Sequence, residues 1–237
     1  MVSQSTTRGL LAGLPVAARF RTATAGASAA RWALVSTALE PLAMIAAWLV
    51  AEAAQPPAYS PLQSSISGLA ALGATDRWIV TDALFLVGAC YLVTAACLSG
   101  LRGPARLVLL IAGGSSLGIA YAPQPAHGSS PQHLAWTSLG AAAITVWPAF
   151  TASRSPTAPL VLRVGTAALV TVVFLGLTGW LIAETQHGTA LGLTERLVTG
   201  IQMTWPFIVA LAMYRKTGHS SVTAARARVP DVTFHQP

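Results

Sequence analysis

Apolar residues fall into six long runs separated by shorter polar segments. The runs cover about residues 32–54, 78–101, 107–122, 134–152, 164–183 and 197–214. Several hold few or no charges over about 18 to 23 positions, and at 1.5 Å per helical residue this length crosses ~30 Å of hydrocarbon. The pattern therefore predicts an all-α integral membrane bundle of six transmembrane helices.

Composition supports this interpretation and excludes a soluble globular domain. Hydrophobic residues make up 54% of the 237 positions, charged residues only 9%, and the mean hydropathy is +0.61. Soluble globular chains carry about 25% charged residues, which they need to cover a surface that faces water. With fewer than half of that share, this chain requires lipid as part of its solvent.

A net charge of +7 could indicate a nucleic-acid partner, but the distribution of the basic residues along the chain gives a different explanation. With the N-terminus inside, two basic residues, Arg77 and Arg196, fall on outer segments. Twelve fall on inner segments: Arg8, Arg19, Arg21, Arg31, Arg102, Arg106, Arg154, Arg163, Arg215, Lys216, Arg226 and Arg228. This positive-inside bias predicts a cell-membrane protein with both termini in the cytoplasm, and no nucleic-acid partner.

The two ends of the chain differ from the apolar runs. Residues 1–31 are rich in Ser, Thr, Ala and Gly with scattered Arg, and residues 216–237 are basic and polar. Such compositions cannot bury enough apolar surface to fold alone. We expect two disordered cytoplasmic tails flanking a transmembrane domain at 32–215.

The first outer loop has the signals of a short interfacial helix. Ser60, Pro61 and Gln63 fit an N-cap, a first helical position and a capping box. The apolar stripe of this helix would be Leu62, Ile66 and Leu69, and its polar side Gln63, Ser64 and Ser67. Gly73 is the predicted end of the helix. The segment could be a lid that seals the bundle or part of a binding site.

One acid lies deep within the first apolar run. Glu40 precedes Pro41 and is about 12 Å from Trp32 along a helix. A carboxyl at that depth costs roughly 2.5–3.5 kcal/mol on insertion scales and marks a functional hypothesis. Its alternative role is a protonated group bonded to a neighbouring helix. The same depth count places three polar side chains level with it, and we expect Glu40 to contact at least one of them: Ser115, Ser116 or Trp205.

The remaining acids and the histidines outside the C-terminal tail gather at the predicted outer face, so a polar ligand site is expected there. The candidate ligand-binding residues are Glu52, Ser64, Ser67, Asp82, His133, Glu195 and Arg196. Adjacent residues on a helix do not face each other, so Arg196 is not expected to pair with Glu195. A charge at the membrane boundary requires a partner, and Asp82 or Glu52 could supply it.

Three segments together resemble a known family. They are YSPLQSSISGLAALG at 59–73, His133 at the start of the fourth run, and GLTERLVTGIQMTWP at 192–206. They resemble the bacterial and archaeal membrane proteins grouped as domain of unknown function 998, over roughly residues 32–215. The resemblance implies a polytopic helical bundle, and it implies no particular activity.

A more distant comparison is with metal-dependent membrane hydrolases of the ceramidase and progestin-receptor-like type. Those enzymes hold a metal with His and Asp residues near one membrane face, where it activates water. Here the metal candidates would be His127, His133, His187 and Asp82, and zinc would be the metal. The chain departs from that pattern because its last apolar run contains no histidine.

Three functions stay open at this point. The first, which we favour, is a bundle that binds a lipid or small ligand on the extracytoplasmic side. The second is the metal-dependent hydrolase acting on a lipid. The third is a small proton-linked transporter built on Glu40 and the Pro41 and Pro206 kinks, although no internal repeat is evident. Membrane lipids are the expected partners. The Gly114–Gly118 face could serve a homo-oligomer as well as the bundle core.

Overall fold

Long α-helices dominate the computed structural model, which describes residues 16–128 and 130–226, with side chains described for 26–128 and 130–216. Seven α-helices occur in this part of the chain. They are α1 Val16–Ala53, α2 Ile66–Leu69, α3 Trp78–Cys97, α4 Gly103–Tyr121, α5 Pro131–Thr151, α6 Val164–His187 and α7 Leu191–Arg226, with a 3₁₀ turn at Leu160–Leu162. The prediction of an all-α chain is confirmed.

The six long helices pack as a closed ring. Each contacts the next in the chain, in the order α1, α3, α4, α5, α6 and α7, and α7 returns to contact α1. We call the end of the ring that carries the first loop (residues 54–77) the outer end. The ring is uneven because α6 buries only Ala167 and Phe174, whereas every other long helix buries a broad face.

Five helical segments of the described chain are long and apolar enough to cross a membrane: Gly26–Ala53, Trp78–Cys97, Gly103–Tyr121, Val164–His187 and Leu191–Lys216. Helix α5 covers the predicted fourth span and is 21 residues long, but it is not among the five. Polar residues such as Gln132, His133 and Thr145 reduce its average hydropathy. Several apolar helices are therefore established, and the number six stays a prediction.

Helices α1 and α7 extend beyond the predicted transmembrane domain. Helix α1 begins at Val16 and α7 continues to Arg226, so both helices reach into the segments for which disordered tails are expected. The physical reason is propensity. Alanine is the best helix former, and residues 16–31 contain seven alanines. Both extensions continue an existing helix, which avoids the cost of nucleation. The rest of the two predicted tails, 1–15 and 227–237, lies outside the described residues.

The helix in the first loop is shorter than expected and begins later. Ser65, not Ser60, is its N-cap, and its hydroxyl accepts a hydrogen bond from the Gly68 amide at 3.0 Å. Residues 60–64 form a single turn, with the Ser64 amide 2.8 Å from the Ser60 carbonyl. The helix ends at Leu69 rather than at Gly73. The predicted capping box is therefore wrong, although a short helix does form in this loop.

Close backbone approach occurs at different glycines from those expected. A Cβ atom on Gly113 would lie 2.9 Å from the Gly88 carbonyl oxygen, so α3 and α4 touch here through their main chains. Gly118 lies against the Trp136 ring of α5, and Gly114 has open space around it. The Gly114–Gly118 pair thus does not bring two helices of this chain together through both of its members.

Candidate functional site

The outer end of the bundle is organised around Arg196, in the second turn of α7. Its Nε donates to Glu52 Oε1 at 2.5 Å, and Nη2 donates to the Tyr59 hydroxyl at 2.8 Å. Its Nη1 donates to the carbonyl oxygens of Ser64 at 2.9 Å and Gly192 at 2.7 Å. The predicted tie between Arg196 and another helix is confirmed, with Glu52 as the partner.

Glu195 forms no salt bridge with this arginine and instead hydrogen-bonds to the first loop. Its Oε2 accepts a hydrogen bond from the Ile66 amide at 2.7 Å, and Ser67 also hydrogen-bonds to the carboxylate. The carboxylate therefore satisfies amides at the start of α2, where orphan N–H groups need partners. The expectation that Glu195 and Arg196 would bind different partners is confirmed.

The first turn of α7 lies directly against the first loop. The Leu193 amide donates to the Leu62 carbonyl at 3.1 Å. Gly192 is required at its position because a Cβ atom there would collide with the carbonyl oxygens of Pro61 and Ser64. Two segments distant in sequence thus form one unit through main-chain contact and the Arg196 hydrogen bonds.

Tyr59 completes the cluster and was missed by the sequence analysis. Burial raises the pKa of the Tyr59 phenol, and the adjacent Arg196 guanidinium partly offsets this effect. A tyrosine beside prolines in a loop carries no sequence signal of an arginine contact, since that contact depends on how the loop folds back over α7.

Below this cluster, the helices of the ring line a partly open cavity of about 170 Å³. All seven helices contribute to its wall, which consists mainly of apolar side chains such as Met44, Leu84, Val87, Ile144 and Met203. Among the predicted site residues, Ser67 and Glu195 line it, whereas the Glu52–Arg196 pair lies outside the lining. The two lining residues place a polar group at the outer end of an apolar chamber.

A second polar group lies about two helical turns deeper. The Gln202 side-chain amide, which lines the cavity, donates to the hydroxyls of Thr178 at 3.0 Å and Thr145 at 3.2 Å. The two threonine hydroxyls are 2.7 Å apart. This group connects α5, α6 and α7. Sequence reasoning missed it, although a glutamine in the middle of an apolar run is itself a signal of a polar contact within the membrane.

Glu40 is fully buried but does not bind any of the three expected side chains. Its Oε1 accepts a hydrogen bond from the Thr94 hydroxyl at 3.2 Å, and Oε2 has no hydrogen-bond partner. The prediction is therefore wrong as to the partner. Ser116 donates to the Leu84 carbonyl at 2.7 Å. The polar atoms of Ser115 and Trp205 are buried with no hydrogen-bond partner.

A depth count explains the error over Glu40. It gives a height along the membrane normal but no direction around the helix. Counting back from Leu101, the end of the predicted second span, places Thr94 about 10 Å deep, close to the level of Glu40. Thr94 in turn shares a hydrogen bond of 2.7 Å with Ser36, so a short polar chain joins α1 and α3.

The four metal candidates are not brought together. Asp82, His127 and His187 are exposed, and His133 is buried on the first turn of α5. His133 Nδ1 donates to the Ala122 carbonyl at 2.8 Å, which leaves Nε2 as a buried atom without a partner. Within the described residues, no three His, Cys, Asp or Glu side chains are grouped closely enough to hold a metal ion.

Comparisons with known proteins place the chain in a family. No curated protein and no solved structure matches it significantly. Residues 38–212 match the family described as Protein of unknown function (DUF998), which is most of the chain and includes all six long helices in whole or in part. The resemblance seen in the first loop and in the start of α7 is thereby confirmed: the chain belongs to the DUF998 family.

Proposed function

We propose that this protein is a multi-pass cell-membrane protein that binds a small apolar or lipid-like ligand within the helical ring, with its polar site on the extracytoplasmic side. One observation carries the proposal. An apolar cavity lies between the helices of the ring, and the polar side chains of Ser67 and Glu195 line it at the outer end. Ligand sites combine an apolar wall with a few placed polar groups in this way.

The volume of the cavity limits the size of its ligand. An apolar cavity of about 150 Å³ in another protein accepts benzene, whereas drug-sized pockets measure about 300–1,000 Å³. At about 170 Å³, this cavity holds one small ring or the end of one acyl chain. A whole phospholipid does not fit, so lipid would enter only by a chain terminus.

The orientation in the membrane is part of the proposal. Alternating direction along the ring places Arg102, Arg106, Arg154 and Arg163 at the end opposite the first loop. The positive-inside rule assigns that end to the cytoplasm. This arrangement of arginines supports six spans, including α5, with both termini in the cytoplasm. The polar end of the cavity would then face outward.

Helix α6 supplies the surface for the proposed partners. Leu169, Val172 and Ile182 of this helix are each more than half exposed. Gly176 and Gly179 on the same helix have open space around them. Membrane lipids suit the apolar face, and small residues allow a second copy of this chain to approach closely. Cross-linking in native membranes separates a monomer surrounded by lipid from a homo-oligomer.

A photolabelling experiment tests the ligand proposal. A benzyl alcohol that carries a photoactivatable diazirine is added to the purified protein and the labelled peptides are mapped. We expect labelling of cavity residues such as Met203. Labelling should be lost in Ala141→Leu, which fills the cavity, and kept in Ala142→Leu, which changes an exposed neighbour. Labelling confined to exposed residues such as Val172, and unchanged by Ala141→Leu, contradicts the proposal.

The environment of Glu40 favours proton-linked transport as a second candidate function. The carboxyl is fully buried, has one hydroxyl partner in Thr94, and its Oε2 has none. Burying a carboxyl with so few partners is costly, and such residues in membrane proteins mark proton relays. In vesicles that enclose a pH dye, the transporter hypothesis expects ligand-driven proton movement that is lost in Glu40→Gln. No proton movement with bound ligand would rule it out.

A further inference from the structure

The charges at the outer end of the cavity do not cancel. Arg196 and Glu52 form a pair, and every nitrogen of the guanidinium already donates, to Glu52, Ser64, Gly192 and Tyr59. Glu195 feels the charge of Arg196 but forms no salt bridge with it, and its described hydrogen bonds come from Ile66 and Ser67. Two carboxyls thus share one cation that is already paired with Glu52, so the carboxyl of Glu195 at the cavity wall lacks a cation of its own.

The rest of the wall does not supply that cation. Among the lining residues, all of which lie in the described part of the chain, none is Lys, Arg or His. Glu195 and the phenol of Tyr91 are the ionisable groups of the wall. An anionic ligand would therefore meet a carboxyl and no compensating charge, whereas a cationic ligand would be compensated.

The hydroxyls of the wall also favour a ligand that donates hydrogen bonds. The Ser116 hydroxyl donates to the Leu84 carbonyl at 2.7 Å, and the Thr137 hydroxyl donates to the His133 carbonyl at 2.8 Å. A hydroxyl has one hydrogen and two lone pairs, so each of these groups keeps acceptor capacity but has used its donor. The polar part of the wall is thus mainly acceptor.

From these observations we propose that the ligand is a small amine with an apolar body, bound as the ammonium ion with Glu195 as its counter-ion. The proposal rests on the proposed ligand-binding function and specifies its chemical class. A cavity of about 170 Å³ suits a single ring or a short alkyl chain bearing the ammonium group. The charge-assisted hydrogen bond to a carboxylate is about twice as strong as a neutral one, which gives the amine its advantage over an alcohol.

Four probes of one shape test the proposal: toluene, benzyl alcohol, benzylammonium and benzoate. Their binding to the purified full chain is measured at neutral pH by calorimetry and by the shift of the unfolding temperature. We expect benzylammonium to bind about tenfold more tightly than benzyl alcohol, and benzoate to bind most weakly. Tighter or equal binding of benzoate overturns the amine assignment.

Two variants assign the preference to one carboxyl. Glu195→Gln keeps an oxygen that accepts from the Ile66 amide and removes the charge, so benzylammonium and benzyl alcohol should then bind about equally. Asp82→Asn is the matched control. It removes an exposed acid on the outer half of α3, outside the lining, and should leave the tenfold preference intact. A preference that survives Glu195→Gln overturns the role given to this residue.

The possible failures are distinguishable. If none of the four probes binds, the proposed ligand-binding function fails, and the amine assignment fails with it. If toluene and benzyl alcohol bind but benzylammonium gains nothing over them, the cavity stands and the amine assignment alone is wrong. Should Glu195→Gln not fold, the order of benzylammonium and benzoate on the unaltered protein still decides the question.

Discussion

Replacing Arg196 by methionine removes the guanidinium and keeps an unbranched apolar chain in place of the arginine's alkyl part. The change leaves the Glu52 carboxylate, the Ser64 carbonyl and the Tyr59 hydroxyl without their shared donor. The Arg196 and Glu52 side chains are only 11% and 14% exposed, so the values for buried pairs apply rather than those for surface pairs. Breaking a buried pair by removing one partner costs about 3–5 kcal/mol.

The two free cysteines make this loss measurable. Cys90 is buried and Cys97 partly buried, both on α3, so a maleimide dye that fluoresces on reaction reports unfolding of the ring. For a chain of this size, 1 kcal/mol corresponds to about 2–4 °C, so Arg196→Met should lower Tm by about 6 °C or more. Arg77→Met is the matched control: this second outer arginine stacks on Trp78, a contact worth about 1 kcal/mol at most at an exposed site.

A double-mutant cycle identifies the cause of the loss. If most of it comes from an uncompensated carboxylate, adding Glu52→Gln to Arg196→Met should restore about 1 kcal/mol or more, because the stranded charge is removed. Two results would refute the reasoning. One is an Arg196→Met protein as stable as the Arg77→Met control. The other is a double variant less stable than Arg196→Met alone.

Three further predictions concern the outer end and the core. Gly192→Ala should cost about 1–3 kcal/mol because its Cβ meets backbone oxygens that cannot move aside, whereas Gly114→Ala, in open space within a helix, should be neutral or stabilising in the same denaturation assay. Burial raises the pKa of the Tyr59 phenol, so its contribution to stability is complete below about pH 10 and is lost as the pH rises above that value. The Tyr59→Phe protein should therefore lose less stability than the unaltered protein when the pH is raised above about 10. Trp147→Phe removes the indole donor to the Ala105 carbonyl in the core and should lower the unfolding free energy by about 1–3 kcal/mol, and an unchanged value contradicts the hydrogen bond.

The periodic features of the fold could be predicted from the sequence, because length and apolarity are local properties. All six apolar runs are helices in the structure. The partner of Arg196 could also be predicted, because few acidic residues lie near the outer boundary of the bundle. The position of the N-cap of α2 could not be predicted. Ser60, Ser64, Ser65 and Ser67 can each cap a helix by type, and contacts with α7 decide among them.

The cavity could not be predicted for a related reason. Its wall takes residues from all seven helices, and a side chain belongs to it only if its helix is rotated so that the residue faces inward. Sequence gives the depth of a residue by counting, but rotation depends on packing against both neighbours. This is why Glu195 and Ser67 were found as candidates, while Thr178, Tyr91 and Gln202 were not.

The segments that carry the family resemblance are also the segments that meet in the structure. Residues 59–73 form the first loop, and residues 192–206 form the start of α7 that lies against it. Between them they supply the Arg196 cluster apart from Glu52, the Glu195 contact with α2 and the outer end of the cavity. The resemblance therefore covers a loop and a helix start that lie against each other at the outer end of the bundle.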